Sequence, residues 1–131
     1  MRLRGALLLE CLGNNLVAAR DYAAVAKEAA ASGLAAIEMW ATGCLGVLRR
    51  KQAKFKEARS ALERYENAAV ALQQFDDAFE AYFELYLVSK EVSDGRESYC
   101  LKRCLRYWPL LQARTPSVLE FERLLREGHV R

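Results

Sequence analysis

Few side chains in this sequence stand at spacings that would let them do chemistry together. Cys100 and Cys104 are one helical turn apart, which would place two thiols on one face of a helix. A structural zinc site needs four converging ligands, and the chain contains a single histidine, His129, close to its end. We therefore predict that the protein binds no metal ion. The four cysteines are better interpreted as small buried side chains that stay reduced.

No catalytic motif stands out in the sequence. It lacks a glycine-rich phosphate loop, an HExxH zinc motif and a GxSxG nucleophile motif. The single histidine argues against a histidine-dependent triad, and the acid pair Asp76 and Asp77 is explained more simply by helix capping. We predict that the protein is not an enzyme and uses no cofactor.

Charge is distributed unevenly along the chain. Residues 65–97 carry eight acidic and two basic side chains, whereas residues 34–64 carry seven basic and three acidic ones. A basic cluster near a helix end can contact phosphates, but the net charge of only +3 and the acidic neighbour argue against nucleic acid. An acidic partner segment, or the acidic block of another copy of the chain, fits this cluster better. The cluster comprises Arg49, Arg50, Lys51, Lys54, Lys56 and Arg59.

Helical periodicity runs through all 131 residues, and no run alternates at period two. With 53% hydrophobic residues and two prolines, the chain predicts a single all-α domain. Asp21 and either Asp76 or Asp77 are the predicted caps of two helices, and Thr115 followed by proline begins the last. One helix precedes Asp21, and the others are predicted over about 21–32, 35–51, 55–72, 77–93, 97–108 and 116–127.

No stretch approaches the roughly 20 apolar residues that a membrane-spanning helix requires. The basic and apolar start of the chain resembles a signal peptide, but Glu10, Asn14 and Asn15 interrupt it. Together with the reduced cysteines, this predicts a cytoplasmic protein that does not associate with membranes.

An internal match is the most informative feature of the sequence. Cys11-Leu12-Gly13 recurs as Cys44-Leu45-Gly46, and Tyr22 pairs with Phe55 at the same offset along the chain. A glycine in the middle of a helix lets a partner helix approach closely. The match therefore predicts repeated helical hairpins, with a generic helical bundle as the alternative.

This pattern resembles the tetratricopeptide repeat, a helical hairpin of about 34 residues with Leu-Gly in its first helix and an aromatic residue before alanine in its second. Leu45-Gly46, Phe55 and Ala58 match it, whereas Val25 in the first unit stands where alanine is expected. The resemblance covers about residues 5–108. It implies a right-handed stack of three antiparallel hairpins, over about 3–33, 35–74 and 77–108, with a capping helix over about 116–127.

The resemblance also implies a function. Such stacks bind a peptide or helix of a partner in a concave groove, as non-enzymatic scaffolds or adaptors. In a chaperone-binding subgroup, a clamp that includes lysine and asparagine holds a terminal carboxylate. Asn14 matches the asparagine, but Glu10 stands in the place of the lysine, so we do not expect that mode.

Five residues are predicted to contact a partner, namely Glu10, Asn14, Arg49, Arg50 and Tyr82. Tyr82 is included because neighbouring aromatic residues on one helix cannot all face a narrow core stripe. Two other functions remain open at this point. The chain could be a ligand-sensing regulatory domain of a transcription regulator, or a structural subunit of a larger assembly.

Overall fold

Six α-helices make up most of the chain in the computed structural model, which describes residues 15–130 and the side chains of residues 19–130. No strand occurs among these residues, so the all-α prediction is confirmed for this part of the chain. The helices are α1 (Asn15–Ala31), α2 (Ala35–Lys51), α3 (Phe55–Ala71), α4 (Phe75–Val92), α5 (Glu97–Tyr107) and α6 (Pro116–Arg126), with a 3-10 turn at Trp108–Leu110.

Three-residue turns of one kind join the first four helices. The middle residue of each has a positive φ, 71° at Gly33, 60° at Ala53 and 56° at Gln73. In each turn, the residue that follows donates its backbone N–H back to a carbonyl in the last turn of the preceding helix, at 2.8 to 2.9 Å. This left-handed cap satisfies helix-end carbonyls and reverses the chain. These left-handed residues recur every 20 residues, so a unit of two helices takes 40 residues, which is longer than the 33-residue offset between the two Cys-Leu-Gly segments.

Two of the predicted helix starts are wrong. Asp21 lies inside α1, because residues 15–31 contain no glycine or proline and are rich in alanine, so nothing interrupts the helix there. Asp76 and Asp77 lie in the first turn of α4, which begins at Phe75. The predicted start at Thr115 is confirmed, since its side chain accepts the backbone N–H of Val118 at 3.3 Å.

Buried side chains form two main cores that share α4. Each of the helices α1 to α4 packs against the next one along the chain, and α6 contacts α4. The first core, between α2, α3 and α4, contains Met39, Ala58, Leu62, Tyr65, Ala69, Ala78, Ala81 and Val88. The second core, between α4, α5 and α6, includes Phe79, Phe83, Tyr86, Leu101, Cys104, Val118, Phe121 and Leu124. The apolar face of α6 is therefore buried within this chain. None of the helices in residues 15–130 is long and apolar enough to cross a membrane.

Gly46 lies where α2 and α3 approach each other closely. A Cβ atom at this position would lie 2.7 Å from two side-chain carbons of Leu62 and 3.3 Å from its backbone nitrogen. Leu62 is fully buried, so it has little room to move away. The Leu-Gly motif in the sequence thus marks a real helix contact at its second occurrence. Its first occurrence, together with Glu10 and Asn14, lies outside the described residues.

We expect Gly46→Ala to lower the free energy of unfolding by about 1–2 kcal/mol, because overpacking outweighs the roughly 1 kcal/mol that alanine gains in helix propensity. Urea denaturation followed by helical circular dichroism measures the change. Leu62→Val should lower the free energy of unfolding by less in the Gly46→Ala variant than in the unmodified protein, because the smaller side chain relieves the overpacking. A Gly46→Ala variant as stable as the parent would contradict the close approach.

Candidate functional site

An open groove of about 420 Å³ lies between α3 and α5, with α4 as its floor. We call it the α3–α5 groove. Its α3 wall presents Glu63, Glu66 and Asn67, its floor includes Tyr82, and Tyr99 stands on its α5 wall. Antiparallel packing of three consecutive helices creates this shape, since the outer two flank the middle one.

Paired side chains lie at the two ends of this groove. At one end, Arg59 on α3 forms an ion pair with Asp94 in the turn between α4 and α5. Towards the other end, the ring of Tyr107 stacks on Tyr82 with 6.1 Å between centroids. The lining residues of α3 run from Arg59 to Asn67, a length of about 12 Å at 1.5 Å per residue. The groove can therefore hold about two turns of a helix.

The α3 wall of the groove is acidic. Glu66 accepts a hydrogen bond from the Tyr82 hydroxyl at 2.6 Å. Burial and this bond raise the pKa of Tyr82, so the phenol stays protonated. Glu63 is exposed, and within residues 15–130 neither glutamate forms an ion pair. Two carboxyl side chains therefore line this wall without an ion-pair partner in the described residues.

The α5 wall is basic and aromatic. The Tyr99 side chain is 47% exposed, a large fraction for an aromatic residue. The guanidinium groups of Arg96 and Arg103 lie 5.8 Å and 5.3 Å from the centroid of its ring. Arg103 also donates from Nε to the Tyr99 hydroxyl at 3.2 Å. Neither arginine has a carboxylate partner in the described part of the chain, so this wall carries unpaired positive charge.

A second, smaller groove of about 270 Å³ lies between α2 and α4, above α3. Trp40 and Val47 form its apolar side, and Asp77 and Glu80 form its acidic side. The Tyr65 hydroxyl donates to Asp77 at 2.6 Å, and Glu80 accepts from the Thr115 hydroxyl. These acids are thus engaged by neutral donors from the same chain.

Other acids of the predicted acidic block also have partners within the chain. Asp76 accepts backbone N–H groups of Gln112 and Ala113 at 3.1 Å and 3.0 Å. Glu84, buried on α4, forms an ion pair with Arg50 on α2. The acidic block therefore serves largely to connect α4 with its neighbours.

The structure separates the residues that the sequence predicted as a partner site. Arg50 is paired with Glu84, and Arg49 donates to the side chain of Gln52 at 3.1 Å. Tyr82 lies in the α3–α5 groove but is only 7% exposed. Neither arginine lines that groove, so these residues do not form one site. Glu10 and Asn14 precede the described residues.

Sequence reasoning missed the exposed part of the α3–α5 groove. Arg96 and Tyr99 line this part, and Arg103 contacts Tyr99 beside it. Their spacing of three and then four residues places them on one face of a helix. A basic and aromatic face with that spacing was visible in the sequence. The sequence did not show which face of α5 would pack against the core.

Cys100 and Cys104 offer little reactivity. Both thiols are buried, and neither forms a disulfide. Burial raises the pKa of both Cys100 and Cys104, which disfavours the thiolate form that reacts and binds metals. Among the residues that the structure describes, no group of three potential ligands is placed to hold a metal ion.

No protein-family model, curated protein or solved structure matches the chain. The functional argument therefore rests on the geometry of the grooves.

Proposed function

We propose that this chain is a non-enzymatic protein interaction module that binds a segment of a partner protein in the α3–α5 groove. One observation carries the proposal. Tyr99 stands half-exposed on the wall of an open groove, next to two arginines that have no carboxylate partner among the described residues. Tyrosine and arginine are the residue types that most often anchor protein interfaces, because they offer large contact areas with polar ends.

The shape and chemistry of the groove favour a peptide segment over a small molecule. Small-molecule sites are mostly apolar and enclose most of the ligand. This groove is open along its length, and both of its walls carry charged side chains. A segment of a partner can lie along it for about two helical turns and leave its outer face in water.

The proposal includes a tetratricopeptide-like stack of the helices and a cytoplasmic location. Consecutive packing of α1 to α5 and the close contact at Gly46 support the first. The reduced thiols of Cys100 and Cys104 support the second, because oxidising compartments favour disulfides. The helices α1, α2 and α3 contain 17 residues each. Two such helices and their turn exceed the roughly 34 residues of the family pattern, so each hairpin would be an extended form.

Site-specific photo-cross-linking tests the proposal. A benzoylphenylalanine at Asn67, exposed on the α3 wall, should give a discrete adduct with one partner in cells. The same group at Lys102, exposed on α5 and not lining the groove, is the matched control. Tyr99→Ala should abolish the adduct from position 67 without changing helical content. Equal adducts from both positions, or an adduct that survives Tyr99→Ala, would overturn the proposal.

A further inference from the structure

The two walls of the α3–α5 groove carry opposite charges that do not neutralise each other. Glu63 and Glu66 line it from α3 and Arg96 lines it from the α5 side, where Arg103 flanks it with its guanidinium 5.3 Å from the ring centroid of Tyr99. Within residues 15–130, no ion pair joins these two sets.

The end of the groove shows what happens where opposite charges can meet. There Arg59 crosses from α3 and forms an ion pair with Asp94. Within the described residues, Glu63, Glu66, Arg96 and Arg103 form no such pair. A bound segment could supply counter-charges to both walls at once.

We infer that the α3–α5 groove binds a helical segment with two rows of charge, carboxylates facing α5 and lysine or arginine side chains facing α3. The inference rests on the proposed function and specifies the partner of that same site. It also revises the expectation of a simply acidic partner. A uniformly acidic segment would face Glu63 and Glu66, and a uniformly basic one would face the two arginines, so each would meet like charges on one wall.

The spacing on α5 favours a helix as the occupant. Arg96 and Arg103 are seven residues apart, which is about 10.5 Å along a helix axis. A helix lying alongside repeats its side chains at the same interval, so two carboxylates two turns apart meet both arginines. Tyr99 stands between them and would contact an apolar side chain of the segment.

Opposite charge on the walls also fixes the orientation of the occupant. If the segment rotated by half a turn about its axis, its carboxylates would face the glutamates of α3. Each like-charge contact disfavours that pose, so the groove selects one face of the segment rather than its net charge.

Two synthetic alanine-based helical peptides of identical composition test the inference. In the first, glutamates and lysines occupy separate rows on opposite sides of the helix, with a leucine between the glutamates. In the second, the same residues are mixed between the rows. Fluorescence anisotropy of labelled peptides should show at least about tenfold tighter binding of the first by the full chain. Equal binding of the two peptides, or binding of neither, overturns the inference.

A matched pair of variants locates the effect on one face of α5. Arg96→Gln with Arg103→Gln should weaken the two-row peptide about tenfold, since two charge pairs are lost. Lys102→Gln with Arg106→Gln removes the same charge from exposed positions of α5 outside the groove and should change affinity less than about twofold. Equal losses would mean that net charge alone drives binding and would overturn the inference.

The cross-linker at Asn67 distinguishes failure of this inference from failure of the proposed function. If the adduct forms equally well in both double variants, the proposed interaction module is supported and the partner with two charged rows is excluded. If no adduct forms, both the interaction module and the two-row partner are excluded. An adduct lost only with the Arg96 and Arg103 variant, formed with a helix that carries two such rows, supports both.

Discussion

Reversing the charge at Arg50 is expected to lower the free energy of unfolding by about 3 kcal/mol, whereas reversing it at Arg49 should cost less than about 1 kcal/mol. Arg50 pairs with Glu84, which is only 7% exposed, so Arg50→Glu would set two carboxylates against each other in a buried place. Arg49 contacts the neutral side chain of Gln52 at the helix end. Urea denaturation followed by helical circular dichroism measures both variants.

A variant in which the arginine and the glutamate exchange positions is the control for this prediction. Arg50→Glu combined with Glu84→Arg restores opposite charges and should recover part of the lost stability. If Arg50→Glu and Arg49→Glu cost the same, the pair contributes nothing specific and the prediction fails.

The pH dependence of the free energy of unfolding distinguishes loss of the Arg50–Glu84 ion pair from a general loss of folding. Burial raises the pKa of Glu84, and Arg50 partly offsets this by favouring the carboxylate. In Arg50→Gln that offset is lost, so the carboxyl binds its proton more readily in the folded state than in the unfolded state. The folded variant is then stabilised as the pH falls from 7 towards 5. Its stability deficit relative to the parent should narrow over this range, and a constant deficit would exclude Glu84 as the cause.

This result bears on any binding test that uses the basic cluster. The sequence predicted Arg49 and Arg50 as partner contacts, and their joint reversal would weaken capture of a partner even if neither touches it, because it would destabilise the folded chain. Arg96 and Arg103 allow a cleaner test, since neither has an ion-pair partner in the described chain.

Local signals predicted the helices wherever the chain itself breaks or caps them. Gly33 ends α1, and Thr115 with Pro116 begins α6, as their backbone preferences require. Asp21 failed as a cap because the alanine-rich helix continues through it, and Asp76 failed because its carboxylate serves other partners. The carboxylate of Asp76 binds backbone N–H groups of residues 112 and 113, which no local pattern could have indicated.

The candidate site was predicted less well, for a related reason. Pairing of Arg50 with Glu84 joins residues 34 positions apart, so the sequence shows two charged clusters but not that they satisfy each other. Among the aromatic residues, periodicity correctly assigned most of α4 to the core. It could not show that Tyr82 would be covered by Tyr107 while Tyr99 stayed in the open, because that depends on how α5 packs.

Removing the ring of Phe121 is expected to cost about 4 kcal/mol of unfolding free energy, the largest effect of any single substitution considered for this chain. Phe121 is fully buried. Its ring meets Phe79 of α4 edge to face at 5.4 Å between centroids and lies 6.3 Å from Trp108. Phe121→Ala would leave a cavity at the junction of α4 and α6 and remove these ring contacts. Thermal and urea unfolding measure the loss.

Leu119 on the same helix provides the matched control, because its side chain is 50% exposed. Leu119→Ala should change stability by less than about 0.5 kcal/mol. The comparison also shows whether α6 stabilises this chain or docks on another molecule. If α6 docked chiefly on another molecule, Phe121→Ala would leave the isolated chain as stable as Leu119→Ala does. A large loss confined to Phe121 means that α6 completes the core on which α4 and α5, and with them two sides of the α3–α5 groove, depend.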